Sequence, residues 1–278
     1  MMLFTARIAF AILAAAPGIS AMPAFAGVES AWSAPSGTAV RLVAGAREGD
    51  VLSGGVEIRL SPGWKTYWRY PGDSGVPPRF DWSGSTNLGA IDILWPAPMR
   101  FDDGDGNYSI GYKKDVVIPF KVTPKDASKP VDLRLALDFA VCEKVCQPAN
   151  AALDLSLPAG GAAPSSASLA AALDAVPRLV TLDAGGALGI ASASLADSQI
   201  RIEAQVENPA TADLFVEGPN EDWALPLPTR ETGADGRTMF VLPVDGVPKG
   251  ADITTTKLRF TLTDGTRAVE VDAPLSAR

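Results

Sequence analysis

Short runs in which apolar and polar residues alternate fill the first half of the chain. Val56, Ile58 and Leu60 alternate with Glu57, Arg59 and Ser61; Val116, Ile118, Phe120 and Val122 form another set, and Leu153, Leu155 and Leu157 a third. A period of two puts the two sets on opposite faces of an extended strand, so each run predicts a strand with one face buried. Gly, Pro, Asp and Asn break the runs, and none keeps a helical period over three turns, so an antiparallel sandwich is expected up to about residue 158. The most informative run ends at a cysteine. Val131, Leu133, Leu135, Leu137, Phe139 and Val141 share one face, and Asp132, Arg134, Ala136, Asp138, Ala140 and Cys142 share the other. Cys142 therefore leaves the apolar register and falls on the more polar face.

The alternation stops at residues 158–168, Pro-Ala-Gly-Gly-Ala-Ala-Pro-Ser-Ser-Ala-Ser, which have few bulky side chains and read as a linker. Ser168 then stands as N-cap before a short helix at Leu169-Ala-Ala-Ala-Leu173 that ends before Pro177. Strands resume with Ile200, Ile202, Ala204 and Val206, with Leu258, Phe260 and Leu262, and with Val269 and Val271. The expected class is all-β, two antiparallel sandwiches joined by a Gly/Pro/Ser linker with a short helix.

The N-terminus reads as a secretory signal. Arg7 precedes the apolar run Ile8–Ala16, and Ala24-Phe25-Ala26 offers small residues where a signal peptidase cuts, so cleavage is expected near Ala26. That run is too short to span a bilayer, and no later segment reaches about 18 uninterrupted apolar residues, so the mature chain is expected to lack a transmembrane segment and to be exported to a bacterial periplasm. The expected division is 1–26 signal peptide, 27–158 first sandwich, 159–177 linker and helix, 178–278 second sandwich. Net charge is −8, and clustered Lys and Arg are absent, which argues against nucleic acid as a partner. The chain has no histidine, which excludes a Ser-His-Asp hydrolase and removes the commonest metal ligand.

The cysteines, Cys142 and Cys146, are the two in the chain. Fully extended, their Cα atoms would lie roughly 13 Å apart, too far for a disulfide, so bonding requires a reversal at Glu143-Lys144-Val145 with the two cysteines facing across its neck. A ring this small constrains the unfolded chain by only about 2 kcal/mol, which makes it a poor staple and favours chemical use. An inert hairpin disulfide and a two-thiolate Cu(I) site remain the alternatives.

Gly63-Trp-Lys-Thr-Tyr-Trp-Arg-Tyr-Pro-Gly-Asp-Ser-Gly-Val-Pro-Pro78, Trp95-Pro-Ala-Pro98, Gly111-Tyr112 and Val141-Cys-Glu-Lys-Val-Cys146 resemble the N-terminal periplasmic domain of the thiol:disulfide interchange protein DsbD, and within that family the ScsB type, associated with suppression of copper sensitivity. The resemblance covers about residues 35–158 and less specifically the second sandwich. It implies immunoglobulin-like sandwiches and a thiol:disulfide oxidoreductase of protein-disulfide reductase type, with Cys142 and Cys146 catalytic, Cys146 the attacked sulfur, and no cofactor or metal. Its implied partners are a thioredoxin-like protein or a DsbD-type membrane electron transporter, and oxidised periplasmic proteins. The family usually has five residues between its cysteines where this chain has three, and its full-length members carry membrane and thioredoxin-like domains not seen here. By the same resemblance Tyr67, Trp68 and Tyr112 are expected beside the pair, and Phe101-Asp-Asp-Gly-Asp-Gly-Asn-Tyr108 is expected as a cap loop, with Asp103 and Asp105 in it and Phe101 or Tyr108 as cover. Lys144 is a candidate to favour a thiolate. The oxygen ligands Asp102, Asp103, Asp105 and Asn107 also permit a calcium reading, without the closing Glu of an EF-hand. A non-catalytic binding or copper-tolerance module with a structural disulfide is the alternative from a different class.

Overall fold

The computed structural model describes residues 29–159, 166–233 and 237–277. The expected signal peptide and most of the Gly/Pro/Ser stretch lie outside the described residues. The first ten strands are β1 (Thr38–Glu48), β2 (Val51–Leu60), β3 (Lys65–Gly72), β4 (Arg79–Asp81), β5 (Leu88–Ile93), β6 (Met99–Gly104), β7 (Asn107–Tyr112), β8 (Val116–Pro124), β9 (Val131–Cys142) and β10 (Cys146–Leu157). They form one sheet in the order β1-β2-β8-β5 and another in the order β10-β9-β3-β7-β6, with β4 added against β9. The apolar sets behave as their period requires. Val131, Leu133, Leu135, Leu137, Phe139 and Val141 are buried in one cluster with Val56, Ile58, Ile118, Phe120, Leu153 and Leu155.

After helix α1 (Ala167–Asp174) come β11 (Arg178–Leu179), β12 (Gly189–Ala196), β13 (Gln199–Gln205), β14 (Ala212–Glu217), β15 (Thr229–Thr232), β16 (Thr238–Pro243), β17 (Leu258–Asp264), β18 (Arg267–Ala273) and β19 (Ser276–Ala277). They make a second pair of sheets, β11-β18-β17-β14 and β15-β16-β13-β12-β19, around a separate core that includes Ile200, Ile202, Phe240, Leu258, Phe260 and Val271. The chain is therefore all-β with two immunoglobulin-like sandwiches. Pairing is antiparallel except for two short parallel contacts, β11 with β18 and β12 with β19. No described helix is long and apolar enough to cross a membrane.

Helix α1 begins one residue earlier than Ser168 and is capped by Ser166, whose hydroxyl accepts from the Leu169 amide at 3.2 Å. Ser168 misses that role because a cap must precede the first helical residue, and Ser168 is already inside. The helix does not hang free between the sandwiches. Leu169 is fully buried with Val43 and Val117 on the first one. Gly45 makes this possible, since a Cβ there would lie 2.8 Å from Leu169 Cδ2 and 2.4 Å from Ser53 Oγ.

The sandwiches also meet directly. Trp68 on β3 and Ile110 and Tyr112 on β7 are buried with Phe215 of β14, the Trp68 and Phe215 rings 5.7 Å apart. Arg69 pairs with Glu217 and Glu270, Arg100 with Asp213, and the Tyr70 hydroxyl donates to the Leu225 carbonyl at 2.6 Å.

Candidate functional site

Cys142 ends β9 and Cys146 begins β10, and the ladder pairs them directly opposite each other before running without a shift to Val131 and Leu157. Their Cα atoms are 4.1 Å apart and the sulfurs are bonded. Register alone thus brings them together, with Glu143, Lys144 and Val145 as the reversal. The two sulfurs differ in environment. Cys142 is 2% exposed, enclosed with Tyr67 and Ala140, whereas Cys146 is exposed. Cys142 does leave the main core's face as its register requires, but it is buried there because Tyr67 lies over that face.

Tyr67 reaches this position through β3, where Lys65 pairs with Cys142 and Thr66 with Val141. Its hydroxyl is 2.7 Å from Cys142 Sγ and 3.1 Å from Cys146 Sγ. Burial, and after it the negative charge of Asp103, raises the Tyr67 pKa above its ordinary value of 10.0. The phenol therefore keeps its proton at neutral pH and can donate to sulfur.

A cleft of about 550 Å³ opens beside the pair, lined by both cysteines, Lys65, Tyr67, Phe101, Asp103 and their neighbours Gly63, Ser74, Asp102, Lys113, Glu143 and Lys144. The Lys65 ammonium is paired with Asp103 and donates to Ser109 Oγ at 3.0 Å. Lys113 Nζ sits 4.5 Å from the centre of the Phe101 ring. Lysines 65, 113 and 144 are matched by Asp102, Asp103 and Glu143, so the rim carries both signs in equal number. Lys144 itself is an exposed turn residue at that rim.

The structure corrects several expected neighbours. Trp68 and Tyr112 belong to the contact with the second sandwich, where the Tyr112 hydroxyl donates to the Pro96 carbonyl at 2.8 Å, and neither lines the cleft. The expected cap loop is a β-hairpin, β6 paired with β7. Phe101, 2% exposed, and Asp103 lie at the cleft, but Asp105 is exposed in the turn and Tyr108 faces Arg100 at 5.7 Å. The calcium arrangement is not assembled. Asp102 accepts from the Gly104 amide, Asp103 pairs with Lys65, and among the described residues no three His, Cys, Asp or Glu side chains are grouped to hold a metal ion. Lys65 and Lys113 were not anticipated from the sequence. Lys65 had a usable signal, since period two places it on the face of Tyr67; Lys113, beyond the end of β7, had none.

Residues 34–158 match the family described as Thiol:disulfide interchange protein DsbD, N-terminal, and residues 175–278 match one described as Domain of unknown function (DUF8393). Among solved structures, the N-terminal periplasmic domain of ScsB from Proteus mirabilis aligns over 90% of this chain and 98% of its own, with a TM-score of 0.70 and 24% sequence identity. No curated protein sequence matches the chain. The solved structure shares the two-sandwich fold, and the family match spans the strands that carry Tyr67, Phe101 and both sulfurs. Over residues 34–158 the chain is thus similar to the N-terminal domain of the thiol:disulfide interchange protein DsbD.

Proposed function

We propose that the chain is an exported, periplasmic protein that passes electrons between a thioredoxin-like protein or membrane electron transporter and oxidised periplasmic proteins, using Cys142 and Cys146. The observation that carries this reading is the unequal setting of the two sulfurs, one exposed and one buried under a phenol that touches both. An incoming partner thiolate can reach Cys146 Sγ. Attack there forms a partner–Cys146 disulfide, breaks the internal S–S bond and releases Cys142 as a thiolate. The Tyr67 hydroxyl can then donate a hydrogen bond to that thiolate, a stronger bond than it makes to a neutral disulfide. The partner's second thiolate attacks its own sulfur in the mixed disulfide, leaving the chain as a dithiol and the partner oxidised. Run in reverse against a disulfide-bonded protein, the same steps deliver the two electrons onward, so exchange needs no cofactor.

The order of attack can be read directly. A thioredoxin-like protein with its resolving cysteine changed to Ser, mixed with the oxidised chain and quenched in acid, is expected to appear joined to Cys146 in peptide maps. Cys142→Ser and Cys146→Ser are each expected to abolish turnover. An adduct at Cys142 overturns the assigned order. Wild-type turnover in both single variants, or a reduction potential below about −300 mV, overturns exchange in favour of an inert staple.

A further inference from the structure

We infer that the second sandwich is a positioning element for the redox cleft, holding Tyr67 between the two sulfurs by gripping the residues next to it; the catalytic importance of that position rests on the exchange reading above. Three strands divide their neighbouring residues in the same way. On β3, Tyr67 is enclosed with Cys142 while Trp68 is buried against Phe215. On β6, Phe101 lines the cleft while Arg100 binds Asp213 through two nitrogens, at 3.1 and 2.6 Å, and donates to the Pro228 carbonyl at 3.0 Å. On β7, Ser109 accepts from Lys65 on the cleft side while Ile110 joins the Phe215 cluster. Tyr67, Phe101 and Ser109 are thus each one residue away from a contact with the second sandwich.

The ladder shows why this matters most for Tyr67. β3 pairs with β9 only at Lys65 and Thr66, and its pairing with β7 is interrupted between Tyr67 and Gly72. Just past Tyr67, β3 is held from the other domain instead. Arg69 donates to Glu217 at 2.9 and 2.8 Å and to Glu270 at 2.6 Å, its guanidinium stacks 4.1 Å from the centre of the Trp68 ring, and Tyr70 bonds the Leu225 carbonyl. Bidentate guanidinium–carboxylate pairs fix orientation as well as distance. Trp68, Arg69 and Arg100 are therefore positioning residues that act through Tyr67 and the β6–β7 hairpin, with Phe215, Glu217 and Asp213 as the gripping side.

The test uses the full chain, with two readouts that a purely structural contact would not move: the pH midpoint of iodoacetamide alkylation of the reduced pair, and the equilibrium with reduced and oxidised glutathione. Tyr67→Phe removes the hydroxyl, so the midpoint is expected to rise and the glutathione equilibrium to shift about fivefold toward the disulfide. Phe215→Ala is expected to shift both readouts the same way, and the double variant no further than the larger single effect, because both act on one hydrogen bond. Should Phe215→Ala fail to unfold cooperatively, Glu217→Gln and Asp213→Asn carry the same comparison with smaller shifts. Additive effects in the double variant overturn the inference. So does a variant whose interface amides exchange faster while midpoint and equilibrium stay at wild type. An unreactive wild type toward a thioredoxin-like dithiol would instead sink the exchange reading, and the alkylation midpoint would still report positioning.

Discussion

Phe101 and Tyr108 lie on one hairpin, and strand pairing decides which of them faces the cleft. Phe101 pairs with Ser109 and Asp102 with Tyr108, so Tyr108 falls on the opposite face, toward Arg100. The aromatic of this hairpin that lines the cleft is therefore Phe101, 2% exposed. Phe101→Ala is expected to lower stability by about 3 kcal/mol, the usual cost of truncating a buried aromatic, and to speed alkylation of the reduced Cys142. Tyr108→Ala should leave that rate at wild type, and mass spectrometry of a timed alkylation separates the two; a faster Tyr108→Ala would put the cover on the wrong residue. Tyr67 and Phe101 could be anticipated by resemblance, but Trp68 and Tyr112 could not be placed. Alternation says that Trp68 faces away from Tyr67, and gives no sign that another domain waits on that side.

At the level of elements, the hairpin β9–β10 was the part most legible in the sequence. Its alternation fixed the buried face, and the reach of a short chain forced the reversal between the cysteines. What the sequence could not show is how little that hairpin needs its disulfide. Twelve consecutive residue pairs join the strands, from Cys142–Cys146 to Val131–Leu157, and the disulfide closes only the first. With a loop contribution of about 2 kcal/mol, Cys142→Ala/Cys146→Ala is expected to retain a cooperative thermal transition, shifted down but intact. A loss of cooperativity in calorimetry would make the bond a staple after all. The linker helix was legible as a helix from Leu169-Ala-Ala-Ala-Leu173, though its cap is Ser166 and not Ser168, and its docking was hidden. Leu169 meets Gly45 across a gap in sequence that no local pattern records.

In the whole molecule, the contact between the sandwiches escaped the sequence because its residues are scattered single positions, Trp68, Tyr112 and Phe215, inside runs that already read as ordinary strands. The contact leaves a signature in the alkaline pH dependence of stability. Burial, then the charges of Asp73 and Glu217, raises the Tyr70 pKa to about 12. Burial raises Tyr112 well above its ordinary value of 10.0, with Arg69 opposing, and Tyr67 is raised as well. For an acid whose pKa is higher in the folded state, the unfolded chain loses its proton first. Stability from these groups is thus unaffected by pH below about 9 and falls as pH rises through 10 toward the folded-state values, with a slope set by the protons the folded protein retains. Denaturant titrations from pH 8 to 11.5 are expected to show that fall. Tyr70→Phe and Tyr112→Phe should each remove up to one proton from the slope, and Tyr67→Phe should act at the redox cleft in the same way. If the slope in Tyr70→Phe and Tyr112→Phe matches wild type, those hydroxyls are not held neutral in the folded protein, and the contact between the sandwiches is more open to solvent than this packing allows.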